Sequence, residues 1–300
     1  MKRRDFIGTA VVGATTLAAA SHAEGEKGTS EKSIDTSFLK ERVTLGQSGL
    51  KVSRVGLGSG MTGGMRRSNQ VRMGEKNFRD LIRYAYDQGI NFFDTADLYG
   101  THRDIMPGLE GVPREEVTIV SKIWWAPGGI PEKERLMADE LVERFLKELN
   151  TDYIDLLHLH CVTSKDWPKE LAKQMDVMSK LKEEGKIRAH GVSVHSLEAL
   201  EVAAEHPWVD AVHTRINPYE MAMDGPPEKV VPILKKMHAN GKGVTGMKMI
   251  GEGRLRDDPA KKQESVDFVY GLGCVDTVIV GFENKNEVDD TLAMVGKALA

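Results

Sequence analysis

The feature that most constrains this chain is an alternation. From residue 38 onward, short β-rich runs at 55–58, 90–94, 117–122, 153–160, 187–194, 211–216, 243–249 and 277–281 are separated by segments of helical period. The first such segment carries Phe78, Leu81, Ile82, Ala85 and Tyr86 at i, i+3, i+4, i+7 and i+8, a single apolar stripe. Pro131 is expected to open the helix bearing Leu141, Phe145 and Leu149, and the least regular segment is 101–113. Parallel strands need long crossovers, and eight βα units in roughly 250 residues predict an α/β fold, a closed parallel (β/α)8 TIM barrel over residues 38–300. Ahead of it, runs at 42–45 and 50–52 flank a Gly46–Gly49 turn and predict an N-terminal β-hairpin. A doubly wound sheet is the competing architecture, because Gly58-Ser59-Gly60-Met61-Thr62-Gly63 follows the first strand. That glycine motif works only by opening a helix, and Gly64-Met65-Arg66-Arg67-Ser68-Asn69 carries no apolar stripe.

Before the barrel, Arg3-Arg4 precede an uncharged run of about 14 residues, short of the roughly 20 that span a bilayer. Ser21-His22-Ala23 ends it with small residues. The segment resembles a twin-arginine signal peptide, so residues 1–23 are expected to address the folded protein to the twin-arginine export machinery. A periplasmic or exported location follows if the signal is used, and a cytoplasmic one if it is not. Residues 24–37 are polar, lack aromatic side chains and read as a flexible linker. No later run is apolar and long enough for stable membrane insertion after processing. A net charge of −4, without a basic block after residue 4, argues against nucleic acid as a partner. Cys161 and Cys274 are too few for a Cys-rich zinc site or an iron–sulfur cluster, and no metal is assigned.

In a parallel barrel, side chains at the C-terminal strand ends meet at one mouth. Asp94 ends the second predicted strand, with Tyr99 five residues beyond; Lys122 ends the third and His160 the fourth. An acid, a phenol, an ammonium and an imidazole therefore reach one rim. This set suits carbonyl reduction. A phenol is a weak acid, an adjacent ammonium is expected to lower its pKa, and a carboxylate keeps the ammonium charged. The imidazole orients the carbonyl oxygen or assists proton transfer.

These residues also carry a resemblance. Asn91-Phe92-Phe93-Asp94-Thr95-Ala96-Asp97-Leu98-Tyr99-Gly100 resembles the second-strand signature of the aldo-keto reductases, and Leu45-Gly46-Gln47-Ser48-Gly49-Leu50-Lys51-Val52-Ser53 resembles their hairpin. Ser121-Lys122, residues 153–160, Gly191-Val192-Ser193, Asn217-Pro218 and Gly281 continue it over about 41–295. The resemblance implies a catalytic tetrad of Asp94, Tyr99, Lys122 and His160, with NADPH or NADH as hydride source and an aldehyde, ketone or dicarbonyl as substrate. It also implies cofactor contacts at Ser193, His213, Met247, Lys248, Gly281, Phe282, Asn284 and Glu287. Several of these depart from the family pattern, which makes the chain a divergent branch. Val194 replaces a frequent asparagine, His213 a glutamine, and Met247 the tyrosine that stacks on nicotinamide, with Lys248 beside it. Gly281 and Phe282 stand where a lysine and a serine hold the adenosine 2′-phosphate, and Glu287 stands for an arginine. Asn284 or Asn286 is a candidate helix cap, and Lys285 is left as the local cation. Use of both nucleotides, or a lean toward NADH, is the expectation.

Trp124 and Trp125 follow Lys122 and either wall a substrate pocket or shield the rim. His158 and His160 face the same side of a strand, so a metal-dependent barrel hydrolase is an alternative. Lys122 as a Schiff-base lysine and a non-enzymatic cofactor sensor of the same fold are others.

Overall fold

A computed structural model describes Phe38 and residues 40–300, so the signal and linker readings at 1–37 lie outside the described residues. The hairpin is present: β1 (Val43–Thr44) pairs antiparallel with β2 (Lys51–Val52). The barrel then begins with β3 (Val55–Gly58), α1 (Asn69–Arg72), α2 (Glu75–Asp87), β4 (Phe92–Asp94) and α3 (His102–Gly108). It continues through β5 (Thr118–Ile123), α4 (Ala138–Leu149), β6 (Ile154–Val162), α5 (Trp167–Glu170) and α6 (Ala172–Glu183). Next come β7 (Ile187–Val194), α7 (Leu197–Glu205), β8 (Ala211–Arg215) and α8 (Pro227–Ala239). The chain closes with β9 (Gly243–Met247), α9 (Pro259–Gly271), β10 (Thr277–Gly281) and α10 (Lys285–Leu299). Each strand from β3 to β10 pairs parallel with its sequence neighbour, and β10 returns to β3 with Gly281 opposite Gly58. The barrel sheet closes without an open edge, and the doubly wound alternative is excluded. The glycine-rich turn after β3 leads only to the four-residue α1.

Two local expectations change. Pro131 opens a 3-10 turn at Glu132–Glu134, and α4 starts at Ala138, whose amide is met by Gln174 Oε1 at 2.8 Å. The helix begins where its buried stripe of Ala138, Leu141, Val142, Phe145 and Leu149 begins, because packing rather than a proline sets the start. The irregular 101–113 segment contains the seven-residue α3, with Pro107 inside it.

The hairpin plugs the barrel floor. Leu45, Leu50 and Val52 pack on the inward-facing Phe92, Val120, Leu156, Ala189 and Ala211. Each large side chain buried there contributes about 1.5–3 kcal/mol. Asn91 fastens this floor to the strand that bears Asp94: its Oδ1 accepts from Ser53 N at 2.6 Å, and its Nδ2 donates to the carbonyls of Lys51 (3.0 Å) and Glu116 (3.2 Å). Among the described residues no helix is long and apolar enough to cross a membrane.

Candidate active site

Asp94 is the last residue of β4, Lys122 the penultimate residue of β5, and His160 lies two residues before the end of β6. Tyr99 closes the 3-10 turn Asp97–Tyr99. The structure brings the four together. Lys122 is wholly buried and directs its Nζ to Asp94 Oδ1 at 2.5 Å and to the Thr95 carbonyl at 2.9 Å. The same Nζ lies 4.8 Å from the centroid of the Tyr99 ring. The Tyr99 hydroxyl is 3.3 Å from His160 Nε2, and the two rings meet edge to face at 5.4 Å.

Burial sets the electrostatics of this group. It pushes Asp94 above the ordinary carboxylate range and Lys122 below the ordinary ammonium range, each opposed by the other's charge. The Tyr99 phenol is held well above its ordinary value, first by burial and then by Asp94 and Cys161. Where the sequence alone predicts a phenol pKa lowered by the ammonium, burial outweighs that attraction and the net shift is upward. Lys122 sits over the ring face, and its hydrogen bonds go to Asp94 and the backbone. Burial, followed by the charge of Lys122, keeps the His160 imidazole neutral.

The 3-10 turn that carries Tyr99 is clamped by charge. Asp97 receives Arg66 Nε at 2.9 Å and Arg144 Nη2 at 2.6 Å, while Arg66 Nη1 reaches Glu134 at 2.5 Å. The phenol also lies flat on backbone, since a Cβ on Gly60 would overlap its ring. Arg66, Arg144 and Glu134 escape sequence reasoning because no local spacing links them to Tyr99.

A cavity of about 610 Å³ runs from Asp94 and Tyr99 past Met247 and Lys248 to Gly281, Phe282, Glu287 and the first turns of α10. Five of the eight candidate cofactor residues thus line it, and three do not. Ser193 is buried and accepts the Cys161 amide at 2.8 Å, holding the irregularity in β6 where Cys161 adopts φ +58°. Asn284 is the N-cap of α10, its Oδ1 accepting from Glu287 N at 3.1 Å. His213 is fully buried inside the barrel beneath Asp94, because strand alternation turns it inward with Ala211.

The local cation is also reassigned. Lys285 lies over the Tyr84 ring at 4.9 Å, whereas Arg256 and Lys262 line the cavity from the segment after β9. Glu283 engages Arg256 at 3.1 Å and Asn69 at 2.8 Å, and Glu287 accepts the Glu283 amide at 2.8 Å.

The two tryptophans have different surroundings. Trp124 stands edge-on to His160 at 5.5 Å, and Trp125 donates its Nε1–H to the His160 carbonyl at 2.8 Å. His158 is buried and stacks edge-on with His213 at 4.4 Å. Among the described residues no group of three or more His, Cys, Asp or Glu side chains is arranged to hold a metal ion. Both cysteines are free, and Cys161 Sγ lies 3.4 Å from His195 Nε2.

Comparison with known proteins gives one consistent answer. The model of the Aldo/keto reductase family matches residues 54–270. Probable aldo-keto reductase 1 of Glycine max is 32% identical over 220 residues, covering 70% of this chain and 60% of that protein. Aldo-keto reductase YhdN of Bacillus subtilis is 33% identical over 205 residues, covering 65% of this chain and 58% of the relative. The matched segment therefore spans less than two thirds of these relatives' length. A solved Pseudomonas aeruginosa structure assigned to the aldo-keto reductases superimposes with a TM-score of 0.71 at 28% identity, covering 88% of this chain and 99% of that one.

Proposed function

This chain belongs to the aldo/keto reductase family, and on that premise we propose that it reduces a small aldehyde, ketone or dicarbonyl to the alcohol with NADPH or NADH. The observation that carries the reading is the buried Asp94–Lys122 pair beneath a neutral Tyr99 hydroxyl in contact with His160. The residues present fit a nicotinamide dinucleotide. The cavity beside the tetrad falls within the roughly 300–1,000 Å³ of cofactor sites, and its far end joins basic side chains to the start of a helix of several turns. Met247 would meet the nicotinamide, while Lys248, Arg256 and Lys262 would meet phosphate.

When bound, the reduced cofactor supplies hydride to the carbonyl carbon. Tyr99 gives its proton to the carbonyl oxygen as negative charge develops there. Its high resting pKa keeps that proton in place until the carbonyl arrives. The phenolate then formed lies close to the Lys122 ammonium, which attracts it far more than it attracts the neutral ring. Neutral His160 offers an N–H to the same oxygen and fixes its approach, and Trp124 beside it shields that side from water. A panel of aldehydes, ketones and 1,2-dicarbonyls, followed by loss of reduced-nicotinamide absorbance, tests the reading. Turnover unaffected by chelators is expected. A protein that consumes no panel member with either nucleotide, or whose activity needs a metal and ignores the nucleotide, would sink it.

At the adenosine end, Arg256 and Lys262 face Asp257, Glu283, Glu287 and Asp290 along the same cavity. A 2′-phosphate placed there gains little net attraction. NADH and NADPH are expected to bind within tenfold of each other, a difference below about 1.4 kcal/mol. Tryptophan quenching by each nucleotide measures this, and a Kd for NADPH more than tenfold below that for NADH overturns it.

Export of the folded protein belongs to the same proposal, supported by Arg3-Arg4 before an uncharged run. Replacing both arginines with lysine is expected to leave uncut precursor in the cytoplasm. Fractionation that finds the unaltered protein wholly cytoplasmic, with residues 1–23 still attached, refutes it.

A further inference from the structure

His213 stands where the family aligns a glutamine, yet it lies in the barrel interior rather than along the cavity. Its ring meets His158 edge-on at 4.4 Å, and its Nδ1 is 3.5 Å from Asp94 Oδ1, the oxygen that also receives Lys122. Both ring nitrogens are buried and neither makes a hydrogen bond, the Asp94 oxygen being the approach nearest to one. The titratable groups around it are Asp94 of β4, Lys122 of β5, and His158 and His160 of β6. Its neighbours in the flanking strands, Ser193 of β7 and Thr245 of β9, are uncharged. Tyr99 feels the charge of Asp94, and Cys161 lies close enough to influence Lys122.

Burial, then the neighbouring His158 and Lys122, keeps the His213 ring neutral. A neutral imidazole carries one N–H and one lone pair. A lone pair at Nδ1 would oppose the carboxylate, whereas an N–H there meets it. We propose that His213 is a positioning residue for the reduction: it carries its proton on Nδ1, aims that N–H at Asp94 Oδ1, and so keeps the Asp94–Lys122 pair ionised beneath Tyr99. The position has then changed its task from the family's contact with cofactor to support of the buried pair. This inference rests on the reductase reading.

Two measurements test it. In the full chain labelled with ¹⁵N-histidine, one ring is expected to stay neutral from about pH 5 to 9 and to be protonated at Nδ1. Its signals should vanish in His213→Gln and shift in Asp94→Asn. Kinetically, His213→Leu should lower kcat about tenfold or more, as misplaced catalytic groups do. The KM for the carbonyl and the Kd for NADPH should stay within about twofold. His213→Gln, which restores a side-chain N–H, should recover kcat to within about threefold. An Nε2–H tautomer, a ring that titrates in that range, or a leucine variant with unchanged kcat overturns the proposal. So does a tenfold loss of NADPH binding with kcat kept, which would make His213 a cofactor contact. If the parent consumes no carbonyl compound, the reductase reading fails by itself, and the nitrogen spectrum still decides the tautomer.

Discussion

Tyr99→Phe is expected to reduce carbonyl turnover by two to four orders of magnitude while leaving NADPH binding within about threefold. That is the range lost with a general acid, or about 3–5 kcal/mol of transition-state stabilisation. The substitution removes only the hydroxyl that touches His160, and the ring keeps its seat on Gly60 and its contact with the Lys122 ammonium. Binding and chemistry should therefore separate cleanly in single-turnover measurements. A phenylalanine variant that reduces the best panel substrate at the parent's rate would remove Tyr99 from the chemistry.

Lys122→Met should damage both activity and stability. Asp94 is left as a buried carboxylate without its ammonium, and breaking a buried pair in this way costs about 3–5 kcal/mol. The carboxyl escapes part of that cost by taking up a proton, since burial already pushes it above the ordinary range and Lys122 no longer opposes this. A carboxyl whose folded-state pKa exceeds its unfolded value favours folding when protonated, and that advantage fades as pH rises from the unfolded value through the folded one. The melting deficit of Lys122→Met against the parent should accordingly be larger near pH 8 than near pH 5. Lys122→Met with Asp94→Asn should recover most of the stability at pH 8 and none of the turnover. A deficit equal at the two pH values, or absent at both, would show that the pair does not matter in this way.

The barrel was legible because each of its units repeats one period and then another. A stripe such as Phe78, Leu81, Ile82 and Ala85 is buried against the sheet, and each β-rich run finds its parallel partners in its neighbours, the last returning to the first. Asp94, Lys122 and His160 near strand ends, with Tyr99 in the turn after the first of them, were legible for a related reason: parallel strands all deliver their C-terminal residues to one side. What failed depends on contacts between distant parts of the sequence. Pro131 looked like a helix start, but the buried stripe beginning at Ala138 decided. The resemblance places His213 among the cofactor contacts, and the position of its ring beneath Asp94 depends on strands far apart in the chain. Arg256 and Lys262 lie some 20–30 residues before the segment they accompany, and only the pairing of β9 with β10 brings them there. The phenol's high pKa follows from burial, which no motif displays.

The pairing of β3 with β10 orders events during synthesis. Val55 to Gly58 are among the first strand residues made, and their partners Val278 to Gly281 come more than 200 residues later. Until then β3 presents an unpaired edge to any extended chain nearby, a known invitation to wrong pairing. The floor is completed almost as late, because the hairpin loop takes its hydrogen bond from Gln47 N to the Gly241 carbonyl. Closing so long a loop is slow. A chain halted before residue 277 lacks the strand that closes the barrel around Asp94, Tyr99, Lys122 and His160, so closure of the candidate site and protection of the β3 edge are expected to arrive together with the last strand.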